Sequence, residues 1–340
     1  MKTFLLALTL FIYTLQCTFT INAQNVYKIA NKIHVPGTGG WDYISVDESN
    51  SIVFVSHSSM VQAIDIKTGK LAGTIPDTKG IHGIAIAIGL NKGFTSNGRD
   101  SSVTVFNLQT LETITKIKIP ARNPDAIIYD PFSRKVFTFN GGSANSTVLD
   151  GESNKVIGTI PLDGKPEFAV TDNNGRIFVN IEDKNIISVI NSSTLKVEKS
   201  WSIAPGDEPS GLAIDNTNHR LFSVCSNKLM IVIDIETGKI ITTLPIGNRC
   251  DGVAFDPELK RVYSSNGEGT ITVVQEIDAN KFKILETITT QLGARTIAVN
   301  KTTHHLYLPT AEFETQDPSS KGRPGIKPDS FVILDVEPLK

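Results

Sequence analysis

FVSH at residues 54–57 returns along the chain as FTSN (94–97), FTFN (137–140), FVNI (178–181), FSVC (222–225), YSSN (263–266) and YLPT (307–310). The opening aromatics of these copies lie 40, 43, 41, 44, 41 and 44 residues apart. A unit of about 42 residues therefore fills the chain from Gly40 to its end, and a period of that length marks a repeat architecture. Outward from the aromatic, each copy keeps one order. An alternating run ends near an Asp (YISVD, AIIYD, FAVTD), and a polar turn leads into the aromatic strand. A loop, a strand ending in Asp or Asn, and a T-G-K-like turn into a fourth strand follow. Four short strands per copy make one propeller blade, so the sequence predicts an all-β, seven-bladed β-propeller with four-stranded blades.

The seventh copy runs out of chain. Phe331 to Val336 supplies its third strand, and only Glu337 to Lys340 follows. At the other end, VYKIANKIHVP (26–36) alternates as an outer strand does and matches KLAGTIP, TITKIKIP and KIITTLPI. The ring is therefore expected to close by pairing this N-terminal strand into blade 7, which removes the free edge that invites association and favours a monomer. Residues 24–340 read as one domain, since no linker or low-complexity stretch divides the repeats.

Residues 1–23 differ in kind: Lys2, an apolar run from Phe4 to Leu15, and a polar stretch ending Ile21-Asn22-Ala23. This pattern predicts a secretory signal peptide cleaved near Ala23, hence a periplasmic or secreted protein. An uncleaved anchor, disfavoured by the short apolar run, and a lipoprotein signal at Cys17, disfavoured by the bulky Gln16 before it, are the rivals. No later segment reaches the ~20 apolar residues of a membrane span. Net charge is −2, with basic residues scattered among acids, which gives no electrostatic footprint for nucleic acid. Outside the cytoplasm Cys225 and Cys250, in adjacent blades, read either as a disulfide or as two buried small hydrophobes.

The aromatic motif, with the D-x-x-T-G-K turns at Asp65–Lys70 and Asp234–Lys239, resembles the YVTN-repeat β-propeller family of exported bacterial proteins. The resemblance covers nearly all of the chain after residue 23. It implies the propeller architecture but not one activity, because the wider seven-bladed class includes lactonases, lyases, electron-transfer proteins and binding scaffolds. His57, Ile181, Cys225 and Thr310 stand where the motif has Asn.

Function in such a ring collects at the end where the first strands begin. The residue five places before the end of each first strand gives Asp42, His82, Asp125, Glu167, Ser210, Asp251 and Arg295, expected to ring the mouth of the central channel. A second ring is expected from the ends of the aromatic strands, with His57, Asn97, Asn140 and Asn266, and beyond it Arg99, Glu182, Asp183, Glu268 and Glu312. Carboxylates crowded in one funnel repel unless a cation or a proton neutralises some of them. His57, His82, Asp42 and Glu167 offer mixed nitrogen and oxygen ligands that suit a divalent transition ion. His34, His219, His304 and His305 fall on outer strands or opposite-end turns and read as surface residues. The long segment between Thr310 and Phe331 reads as a lid, with Arg323 or Lys327 facing an anion, or as a plain surface loop. Trp41 reads as a ligand platform or as packing in the blade 7–1 seam.

The sequence lacks G-x-S-x-G, H-E-x-x-H, C-x-x-C-H and phosphate-loop motifs. Two functions remain in view: a propeller that binds a small ligand, metal ion or protein partner in its top funnel, and a metal-dependent hydrolase or lyase of the lactonase-like type.

Overall fold

The computed structural model describes residues 26–315 and 324–339; the predicted signal peptide, Cys17 and Arg323 lie outside them. Seven four-stranded antiparallel sheets follow one another around a ring, and only short 3-10 turns interrupt the β structure of the described residues. The first strands line the channel: Trp41–Asp47, Ile81–Ala87, Pro124–Asp130, Pro166–Thr171, Pro209–Asp215, Cys250–Asp256 and, in blade 7, the short Ala298–Val299. Ring closure is as the repeat predicts. Tyr27–His34 pairs antiparallel with Val332–Pro338 as the outer strand of blade 7.

The repeated aromatic is buried because the second strand is sandwiched between neighbouring blades on both faces. Ile52–His57 is buried at all six positions, whereas the outer strand Lys70–Ile75 reaches full burial only at Ile75. Phe54 meets Phe106 of blade 2 with ring centroids 5.4 Å apart, and Phe222 meets Phe255 of blade 6 at 5.5 Å. Seven apolar clusters fill the seams in this manner, so blade packs on blade without a central core.

Near the channel mouth the pairing of first and second strands loses register in six blades, between Trp41 and Ile44, Ile81 and Ile84, Pro124 and Ile127, Pro166 and Ala169, Pro209 and Leu212, and Cys250 and Gly252. A bulge of this kind re-aims side chains, and each brackets the residue that the repeat places on the ring. The first strands also crowd together here. A Cβ on Gly83 would lie 3.0 Å from Ile127 N and 3.1 Å from Asp125 O.

Candidate functional site

Four bulged positions and Arg295, which precedes the short first strand of blade 7, bring five of the seven predicted ring positions into one unbroken chain of ion pairs. His82 Nδ1 lies 2.6 Å from Asp42 Oδ2 and 3.7 Å from Asp125 Oδ1. On the other side of Asp42, Arg295 Nη2 stands 3.2 Å from its Oδ1, while Arg295 Nε reaches Asp251 Oδ2 at 2.6 Å. The sequence Asp251–Arg295–Asp42–His82–Asp125 thus runs through blades 6, 7, 1, 2 and 3. In blade 4, Glu167 takes its own cation, Lys165 at 2.6 Å, which also contacts Glu182. Ser210 completes the ring, donating to Cys250 O at 3.2 Å.

Their own and neighbouring blades hold these residues in place. Asp42 N–H donates to Ser56 Oγ (2.9 Å), and Thr296 Oγ1 donates to Asp42 O (2.5 Å). Ser96 donates to Asp125 O, Ser265 donates to Arg295 O, and the Asn180 amide donates to Ser210 O and Gly211 O. In blades 2, 4 and 6 the third letter of the repeated motif therefore ties the blade to the ring residue of the next. Gly98 leaves room for His82, since a Cβ there would sit 2.7 Å from its Nε2.

Electrostatics follow from crowding. Burial raises the pKa of Asp125, opposed by His82 and reinforced by Asp42 and Asp251. Burial and then Asp125 likewise lift Glu167 against the pull of Lys165. Asp251 is raised mainly by burial, although Arg295 works the other way. For His82 burial disfavours the cation, but the hydrogen bond to Asp42 and the charges of Asp125, Asp42 and Glu167 outweigh it and the pKa rises.

Two residues that the repeat reading passed over form the floor. Tyr43 from blade 1 and Phe168 from blade 4 meet with centroids 5.3 Å apart, three blades from each other around the ring. Beside them a cavity of about 50 Å³ is lined by Ile44, Ile84, Ala126, Ile127 and Ile128 among others. Burial, followed by the charges of Asp125 and Asp42, keeps the Tyr43 phenol neutral far above its ordinary range. The site is a charged cup with an aromatic bottom, and Lys165 is its third unforeseen member.

The second predicted ring does not face this cup. Asn97 and Asn140 are fully buried inside their blades, and each clamps its own hairpin. The Asn97 amide donates to Ser102 Oγ (3.0 Å) and Thr104 Oγ1 (2.9 Å), and its Oδ1 accepts from Thr95 (2.9 Å). Asn140 does the same with Asn145, Thr147 and Thr138, and Asn266 with Thr270, Thr272 and Ser264. His57, expected beside His82 as a ligand, is instead 1% exposed. It bonds to Gln62 Oε1 through Nδ1 at 2.6 Å and stacks on Phe331, and burial lowers its pKa. Trp41 packs on Phe313 and Phe331 in the blade 7–1 seam.

Around the rim, Arg99, Asp183 and Glu268 are exposed. Glu312 pairs with Lys327 at 2.9 Å within the long loop, so that lysine already has an acid partner. Cys225 and Cys250 are buried free thiols, both pushed up to about 12 by burial. His34 and His219 are exposed as expected. His304 and His305 are half-buried instead, 2.7 Å from Asp256 and 2.6 Å from Asp335.

Asp42, His82 and Asp125 each offer one ligand atom, and these atoms lie within 4.8 Å of one another. The seven sheets and this donor set make the chain a seven-bladed propeller with a charged channel mouth. It is similar to the uncharacterized protein YncE of Salmonella typhimurium, with 22% identity over 237 residues that cover 65% of this chain and 66% of YncE, just under two thirds of that protein's length. No protein-family model matches the chain. Among solved structures it is similar to a chain of Kuenenia stuttgartiensis hydrazine synthase, with a TM-score of 0.70 and 16% identity over 81% of this chain and 94% of that one. At such identity the second likeness is one of fold alone. The chain is a YncE-like propeller, distantly related to that protein. Among the described residues no helix is long and apolar enough to cross a membrane.

Proposed function

We propose that this is an exported binding propeller whose top funnel captures a small cationic species, a divalent transition-metal ion being the ligand best suited to it. The observation that carries this reading is the convergence of Asp42, His82 and Asp125, three donors from three successive blades. One imidazole and two carboxylates suit zinc, manganese and related ions better than calcium, which prefers oxygen alone. The surroundings agree, because Asp42, Asp125, Glu167, Glu182 and Asp251 outnumber Arg295, Lys165 and His82. Export rests on the N-terminal segment, whose charged start, apolar run and Ala23 read as a signal peptide.

The test uses protein purified without chelator or metal-affinity tag, assayed by elemental mass spectrometry and by calorimetric titration with Zn²⁺ or Mn²⁺ alone. Wild type should take up close to one ion per chain. His82→Ala and Asp125→Asn should each weaken uptake by about tenfold or more, as loss of a metal-site group does, whereas His57→Ala should leave it unchanged. Equal uptake by wild type and His82→Ala, or none by either, would sink the assignment.

A catalytic reading is favoured by one further feature. Asp125 and Glu167 are both held toward their neutral forms beside the donor set, the condition of a general acid or base at neutral pH. A bound ion would supply carbonyl polarisation or a more acidic water, and Glu167 would move the proton, which is the chemistry of a hydrolase or lyase acting on lactones or esters. Glu167→Gln should then abolish turnover of such substrates while metal uptake persists. A metal-loaded wild type inert on lactones and esters would leave binding as the role.

A further inference from the structure

The lower face holds a carboxyl group that no other blade has at the same place. Just past the third strand, Ile66, Leu108, Gly151, Ser192 and Ile235 each donate their N–H across to the turn before the second strand, to Ser51, Asn91, Arg134, Gly175 and His219. Glu276 makes the same bond, to Lys260 O at 2.8 Å, and is the sixth member of that column. Leu108 and Ile235 are buried there, as an apolar side chain can be at no cost. Glu276 is equally buried, 1% exposed, and neither of its carboxyl oxygens has a hydrogen-bond partner.

Its neighbours are Asp215 and Asn218, across the seam in blade 5, and Lys260 of its own blade. Asp215 ends the first strand of blade 5, is 3% exposed, and accepts the Thr217 N–H at 2.8 Å with one oxygen. Two ionised carboxylates are acceptors only and cannot bond to each other; with one proton between them they can. We propose that Glu276 and Asp215 share one proton, which latches the lower ends of blades 5 and 6 together and makes that seam sensitive to alkaline pH. A hard cation fits less well, because two carboxyl groups and one amide fall short of the ~6–8 oxygens that calcium gathers, and the Lys260 charge opposes it.

The charge balance agrees. Burial, then Asp215, push Glu276 up to about 8, with Asn218 and Lys260 working the other way. A carboxyl whose folded pKa is raised contributes stability that is full below its unfolded value and is lost as pH climbs through about 8. Across that window the unfolding constant of wild type should rise by up to about tenfold per pH unit on this account.

Thermal and urea unfolding of wild type, Glu276→Gln and Glu276→Leu between about pH 5 and 9 tests this, since other titrations cancel in the difference between proteins. The glutamine amide replaces the shared proton permanently, and leucine restores the apolar plug of Leu108. Both variants should match wild type near pH 5 and melt several degrees above it near pH 9. Curves that stay parallel across the range would overturn the proposal. So would calcium chloride at alkaline pH that restores wild type but not Glu276→Gln, which would assign the pair to a cation.

Discussion

At the scale of single residues, the motif letters divide the work of holding a blade. In blades 2, 3 and 6 the final Asn clamps its own hairpin, largely through Ser and Thr hydroxyls, and in blades 2, 4 and 6 the third letter ties down the channel residue of the next blade. Removing one buried amide strands several hydroxyls at once, so Asn97→Ala or Asn140→Ala should cost about 2–3 kcal/mol, read as a lower urea midpoint with metal uptake unchanged. The ring from Asp42 to Arg295 was legible because the repeat fixes it at one offset, and in six blades a bulge brackets that position. The Asn column was equally legible as a pattern, but its direction was not, since a strand end can point either way until its partners are known. Tyr43 and Phe168 escaped notice for a related reason. A bulge suspends the alternation of faces, so the residue after a ring position can face the channel as well.

At the scale of elements, blade 7 shows how a terminal strand is locked. Glu286, on the outer strand of blade 6, accepts the N–H groups of Val26 and Tyr27 at 2.9 and 3.0 Å. The Tyr27 and Tyr263 hydroxyls meet at 2.6 Å, so the closing strand is held from blade 6 as well as from Val332–Pro338. Deleting residues 24–36 should lower the melting temperature sharply and drive association on a sizing column, because the edge of Val332–Pro338 is left bare. The same blade carries a pH-dependent tie. The bond to Asp335, outweighing burial, raises the His305 pKa. Its contribution is present below the ordinary histidine value and fades as pH rises past the raised one. His305→Gln should therefore lose more stability at about pH 5 than at about pH 9, measured by thermal unfolding against wild type. The closing strand could be read from its likeness to other outer strands, whereas the carboxylate partners of His304 and His305 could not. Those acids lie 48 and 30 positions away along the chain.

At the scale of the whole molecule, the ring of ion pairs couples blades that share no apolar seam. Arg295 bridges blades 6 and 1 from its place in blade 7, so Arg295→Gln releases Asp251 and Asp42 together. The deficit in stability should widen as pH rises through the raised pKa of Asp251 and that acid ionises without its guanidinium, a trend that denaturant titrations at several pH values would reveal. A constant deficit would mean that the guanidinium acts through packing alone. The meeting of Tyr43 and Phe168 has a bearing on exchange kinetics. The pair narrows the bore beneath the cup, which favours entry and exit of an occupant through one mouth. A second molecule settling over the rim would then slow escape without competing for a single donor atom, so occupancy and residence time can be set by different visitors.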